Sequence, residues 1–193
     1  VAKPTKLEHQ RRDAMPALAR AFAELGYRRA TTAELARRTG LHEPILFRIW
    51  PNKKAMFLDA IAYVQRLAEQ AYERATTDTP ADRAAEVLLD YEADHLGEFG
   101  HYRILFAGLG EADDAEIRRA LRGVYRRFAE LARTHAATSR LRDQDALDPA
   151  LVAWAMVGVG TIATIARELG LVDAGLRRRL VAEVGRALLG HSS

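Results

Sequence analysis

The chain has no cysteine, so a disulfide, a thiolate metal site and a cysteine nucleophile are all excluded. Any chemistry must come from histidine, carboxylates and hydroxyls. No run of alternating β-branched residues flanked by turn signals occurs, which argues against a sheet. No continuous apolar segment accompanies Lys3, Lys6, Arg11 and Arg12 near the N-terminus; the pattern of a secretory signal is missing, and the cytoplasm is the expected location. Long uncharged runs are scarce as well. The exception is Ala150 to Ala166 (ALVAWAMVGVGTIATIA), at the short limit for a bilayer core of ~30 Å and interrupted by Thr161 and Thr164. It is read as a helix buried on nearly all sides in protein, with no membrane partner.

What the chain does have is helical periodicity and an uneven charge distribution. Residues 1–54 hold 12 Lys/Arg against 5 Asp/Glu, a net +7, and residues 55–193 hold 17 against 21, a net −4. A basic N-terminal module joined to a mildly acidic body points to a polyanion partner for the basic end. With 193 residues the chain accommodates a small domain and a medium one. The expected division is 1–54 and 55–193.

Apolar residues recurring at three and four predict an all-α protein of about nine helices. Met15, Leu18, Ala19, Phe22 and Leu25 mark the first, with a stop at Gly26. Pro16 leaves two readings open: a helix beginning at Asp13, with the proline in its first turn, or an earlier start with a kink. Thr31-Thr32-Ala33-Glu34 has the form of a capping box opening a short helix that stops at Gly40. Leu41 and His42 turn the chain, and a third helix opens at Glu43-Pro44, where proline is tolerated. Its apolar face is Ile45, Leu46, Ile49 and Trp50. Asn52 then caps a long helix running to about Thr77. Pro80 to Leu96, His101 to Leu109, Asp114 to Leu141, Asp148 to Leu169 and Asp173 to Leu189 read as further helices, with Gly170 as a stop.

Two short helices joined by a glycine turn, behind a supporting helix in a basic module, are the sequence form of a helix-turn-helix, whose second helix enters the major groove. Over residues 21–61 the chain resembles the N-terminal domain of the TetR family of repressors. The resemblance is carried by Phe22, Gly26-Tyr27, Thr31-Thr32, Leu35-Ala36, Gly40-Leu41, Leu46-Phe47, Trp50-Pro51-Asn52-Lys53 and Ala55. It implies a homodimer on a palindromic double-stranded DNA operator, a small-molecule effector in the C-terminal body, and release of DNA when that effector binds. By position it places Thr32, Phe47, Arg48 and Lys53 against phosphates and His42, Glu43, Pro44 and Ile45 toward base edges. Phe47 stands where the family usually has tyrosine, so the phenolic hydrogen bond is lost and a mainly core role is expected. His42 replaces a small hydroxyl cap.

Candidates for the effector cavity are Tyr91, His95, Phe99, Phe106, Tyr125 and Trp154, aromatic groups with a few polar atoms among them. A dimer face is read from Trp154, Val157, Gly158, Thr161, Ile162 and Ile165 in one C-terminal helix and Leu176, Leu180 and Val184 in the next, an apolar stripe with small residues for close approach. Glu92-Ala93-Asp94-His95 has Glu-x-x-His spacing, but a di-metal bundle needs a second copy; no metal or cofactor is expected. No serine-histidine-aspartate set and no glycine-rich phosphate loop stand out, so no enzymatic role is expected. Two other readings stay open: a binding protein of this fold with altered DNA binding, and a small helical enzyme.

Overall fold

The computed structural model describes residues 5–96, 102–141 and 147–190, and among them there are helices and no strands. The helices are α1 (Lys6–Arg29), α2 (Thr32–Thr39), α3 (Glu43–Ile49), α4 (Lys53–Thr76), α5 (Ala84–His95), α6 (Tyr102–Leu109), α7 (Ala115–Thr138) and α8 (Pro149–Glu168). A last run begins as α9 (Ala174–Arg179), passes through a π-helical turn (Leu180–Val184) and ends as α10 (Gly185–Leu188). The expected all-α class, with about nine helical runs, is what the described residues form.

Helix α1 starts earlier than Asp13. Thr5 accepts from the Glu8 amide at 3.2 Å, and the Glu8 carboxylate accepts from the Thr5 amide at 2.6 Å, closing a reciprocal capping box. Pro16 lies well inside the helix, and the non-helical dihedrals belong instead to Gly26 (φ 71°, ψ 171°). That left-handed φ suits glycine. The first helical stretch therefore ends at Gly26, where the sequence placed its stop, and a short further turn runs on to Arg29.

The chain packs as two compact units. The first takes the described residues up to Leu67 together with Tyr102 to Arg122. Its core is built on Leu18, Phe22, Leu35, Leu46, Met56, Phe57, Ile61, Ile104, Leu105 and Ile117, all essentially inaccessible. Phe22 meets Phe57 edge-on at 5.0 Å between ring centroids, and Tyr27 lies 5.0 Å from Phe57, an arrangement favoured by the ring quadrupoles. Residues far along the sequence thus support the N-terminal helices: α6 packs on α1, Arg28 pairs with Glu111 at 2.8 Å, and Lys54 reaches Asp114 and Glu116 at 3.2 and 3.1 Å.

The second unit takes the described residues from Ala68 to Leu96 and from Gly123 onward. Ala85, Leu89, Ala136, Val152 and Leu189 form one of its core clusters. Gly185 is required there by close approach, because a Cβ would fall 2.3 Å from Leu89 Cδ2. Helix α8 begins as expected, with the Asp148 carboxylate accepting from the Ala150 amide at 2.7 Å and Pro149 in the first turn. It is long and apolar enough to cross a membrane by length and composition alone, yet only 28% of its apolar window is buried. The expectation of a helix buried on nearly all sides is therefore corrected. Val152, Ala153, Ala163, Thr164 and Ala166 face inward, while Leu151, Trp154, Ile162 and Leu169 are each about half exposed or more.

Candidate nucleic-acid interface

Helix α2 is capped by Thr31, whose hydroxyl accepts from the Glu34 amide at 3.2 Å. The second half of the expected capping box is not made. The Glu34 carboxylate turns along its own helix to Arg37 at 2.6 Å and Arg38 at 2.7 Å, and these two guanidinium groups hold the carboxyl down at about 2. A side chain with two arginines within reach at i+3 and i+4 has no need of the amide behind it. Gly40 ends the helix with φ 69°, and the Leu41 amide closes back on the Ala36 carbonyl at 3.2 Å. This is the left-handed turn for which glycine is suited.

His42 occupies the cap position of α3 without a side-chain hydrogen bond. Its carbonyl nonetheless accepts from the Ile45 and Leu46 amides at 2.8 and 3.1 Å. The helix is fixed from behind. Leu46 and Trp50 are buried, and the Trp50 indole Nε1 donates to Asp59 at 2.8 Å, the same carboxylate that pairs with Arg11 at 2.7 Å. One acid of α4 therefore ties α1 and the end of α3 together. That link spans 48 residues from Arg11 to Asp59, and no local pattern announces it.

Outward from this anchor, His42, Pro44, Phe47 and Arg48 are exposed, and Glu43 and Ile45 are half-buried. Phe47, read from the sequence as mainly core, is 44% accessible: Leu46 takes the inward position, and the next residue round the helix points away from it. Thr32, in the first turn of α2, is half-buried. Lys53 is occupied. Its ammonium donates to the Tyr27 carbonyl at 3.0 Å and stands 4.5 Å from the centre of the Tyr27 ring. Asn52 caps α4 as expected, accepting from the Ala55 amide at 2.8 Å.

Half of the twelve basic residues among residues 1–54 are paired with acids. Arg11, Arg12, Arg28, Arg37, Arg38 and Lys54 each have an acidic partner, while Arg48 has none among the described residues. Exposed pairs of this kind are weak, because water and salt screen them. They remain exchangeable for an incoming anion.

The cavity candidates scatter. Tyr91 and His95 stack at 4.4 Å on α5, and Tyr125 is half-buried on α7; these belong to the second unit. Phe106 lies on α6 in the first unit, Trp154 is 53% accessible, and Phe99 falls outside the described residues. Tyr72 and Phe128, which the sequence reading passed over, meet ring to ring at 6.4 Å, and Tyr72 meets Tyr91 at 6.2 Å. Along α8 and the last run, Trp154, Gly158, Ile162, Leu176 and Val184 are exposed, and Val157, Thr161, Ile165 and Leu180 are half-buried.

Two short helices, a left-handed glycine turn and an outward second helix anchored on a three-helix core define a helix-turn-helix protein. Residues 15–60 match the family model described as "Bacterial regulatory proteins, tetR family". No curated relative matches the chain in sequence. Among solved structures, it is similar to a TetR-family transcriptional regulator from Cytophaga hutchinsonii, with a TM-score of 0.82 at 16% identity over 97% of this chain and 96% of that one. A transcriptional regulator from Saccharomonospora viridis in complex with choline gives 0.77 at 17% over 91% and 94%. AibR in complex with isovaleryl coenzyme A and operator DNA gives 0.69 at 13% over 94% and 98%. Residues 15–60 thus match the TetR-family model, and the chain as a whole has the fold seen in TetR-family regulators of known structure.

Proposed function

We propose that the chain is a ligand-responsive transcriptional repressor that binds a palindromic operator as a homodimer and lets it go when a small molecule binds. In this reading residues 1–54 hold DNA, and residues 55–193 bind the effector and the second protomer. The observation that carries it is α3 itself, a short helix clamped by Leu46 and Trp50 with Pro44, Phe47 and Arg48 outward. A protein gains no stability from exposing a phenylalanine beside an unpaired arginine on a rigid helix; a surface that meets a groove and its phosphates uses both. Thr32, Phe47, Arg48 and Lys53 are assigned to the backbone, Lys53 by exchanging its Tyr27 contacts for a phosphate. His42, Glu43, Pro44 and Ile45 are assigned to base edges. The partners are double-stranded DNA, a small-molecule effector and a second copy of the chain, with no enzymatic step, in the cytoplasm. Two structural neighbours carry ligands as different as choline and isovaleryl coenzyme A. Likeness of fold therefore supports an effector without naming it.

Removing the Arg48 guanidinium is the cleanest test of the phosphate assignment. Arg48→Ala is expected to weaken binding to specific and unrelated duplexes alike and to reduce the salt dependence of log K by about 1 per protomer. Fluorescence anisotropy titrations across a salt series measure this, and an unchanged slope would place the contact elsewhere. Base selection is expected to follow Glu43 and Ile45, an acceptor for a cytosine amino group and an apolar partner for a thymine methyl. Glu43→Ala and Ile45→Ala should each change the preferred base at one position of each half-site, by about 1–3 kcal/mol. Sequence selection from a random duplex pool reads this directly, and identical preferred sites in both variants and the parent would refute it.

A further inference from the structure

Helix α5 carries four acids whose surroundings differ. Glu86 pairs with Arg140 at 2.6 Å, Asp94 with Arg178 at 2.8 Å, and Asp90 with Arg186. Among the described residues Glu92 has no arginine or lysine partner, and its hydrogen bond comes from the Tyr72 hydroxyl. Arg127 is held by Glu69 at 2.9 Å, and His95 lies flat on Tyr91 with its Nδ1 against the Tyr91 carbonyl at 2.9 Å.

The carboxylate is also the deepest of the four. Burial is the main influence on it and raises its pKa above the ordinary carboxylate range, against the opposing Tyr72 hydrogen bond and the weaker pull of His95. Among the described residues no buried side-chain oxygen is left without a partner, yet only one hydrogen bond reaches Glu92. Its second oxygen therefore opens on space that a water molecule reaches, although the residue sits far inside its unit. The surrounding rings come from three helices: Tyr72 of α4 packs edge-on with Tyr91 of α5 and with Phe128 of α7. A carboxyl whose charge burial disfavours, with no counter-ion among the described residues and with aromatic rings beside it, is suited to one kind of guest: a cation with an apolar body, whose arrival stabilises the ionised form. A metal ion is disfavoured, since the described residues contain no group of three histidines or carboxylates that could hold one.

We propose that Glu92, with Tyr72, Tyr91 and Phe128, forms the seat of a monovalent organic cation, a quaternary or tertiary ammonium, and that this is the chemical class of the effector. The second half of that statement rests on the ligand-responsive reading above; the first half does not. Isothermal titration of the full chain with para-hydroxyphenyltrimethylammonium and with its uncharged isostere, para-tert-butylphenol, separates charge from shape. The cation is expected to bind more tightly than the isostere by about tenfold or more. Glu92→Gln should abolish that preference while leaving the isostere's affinity in place, and Tyr91→Leu should weaken the cation more than the isostere. The wild-type comparison stands without any variant, should one fail to fold. Equal affinity for the two compounds, no detectable binding of the cation at millimolar concentration, or a preference that survives Glu92→Gln would each overturn the assignment. Operator release is read separately. A cation that binds as described but leaves DNA bound upholds the site and contradicts its role as effector site; release by neutral compounds from a chain indifferent to the cation upholds ligand control and refutes the cation seat.

Discussion

The double variant Gly158→Arg, Ile162→Arg is expected to be a monomer at micromolar concentration and to lose about a hundredfold or more in operator affinity. Leu151, Trp154, Ile162 and Leu169 are 63, 53, 49 and 68% accessible, and Leu176 and Val184 of the last helical run are 50 and 38% accessible. With a repeat of 3.6 residues, Leu151, Trp154, Gly158, Ile162 and Leu169 fall on one side of α8. In the proposed dimer this apolar stripe is covered by the same stripe of the second protomer. A Cβ at Gly158 would meet nothing within 4 Å in its own chain, so the fold of the single chain does not explain this glycine, whereas close approach of a partner helix does. Arginine at both positions would place four guanidinium groups in the two-fold contact, unpaired and desolvated. Because neither residue is buried in its own chain, the variant should keep its helical content. The loss on DNA follows from linkage: two half-sites held by one dimer gain about 10²–10⁴ over independent binding. Sedimentation velocity gives the mass and anisotropy the affinity; a dimer that persists in the variant would remove this face from the account.

Phe22→Ala is expected to cost about 3–5 kcal/mol and to lower the unfolding midpoint by roughly 10 °C. Phe22 is wholly buried and touches the rings of both Tyr27 and Phe57. Truncation leaves a void between α1 and α4, at the base on which α2 and α3 rest. Phe22→Leu, which keeps most of the volume, should cost markedly less. Thermal unfolding followed by circular dichroism measures both, and a Phe22→Ala midpoint within a degree or two of the parent would show that this cluster is not what holds the unit.

Where the governing interaction lies within four residues, the sequence was legible. Gly40, the Asn52 cap and the Asp148-Pro149 start are such cases, and so is the turn at Gly170 (φ 63°). Local pattern misled where two short-range options competed: Glu34 prefers Arg37 and Arg38 to the amide behind it, and Phe47 loses the inward position to Leu46. It was silent on pairings between distant helices. The Arg11–Asp59–Trp50 link, the packing of α6 on α1, and Glu92 with Tyr72 twenty residues away depend on tertiary geometry that no periodicity encodes. The net +7 of residues 1–54 was a sound pointer to a polyanion but a poor count of free cations, since acids from residues 111–116 pair with Arg28 and Lys54.

The central claim is that α3 reads DNA as one of a symmetric pair. Its most direct test is to select a duplex with the full-length protein, label it, and measure the stoichiometry and salt dependence of binding by anisotropy. The account predicts two protomers on a palindromic site, half-sites one helical turn or a multiple apart, and affinity falling steeply as salt rises. Failure to enrich any sequence, or one protomer bound with the same affinity to every duplex, would contradict it.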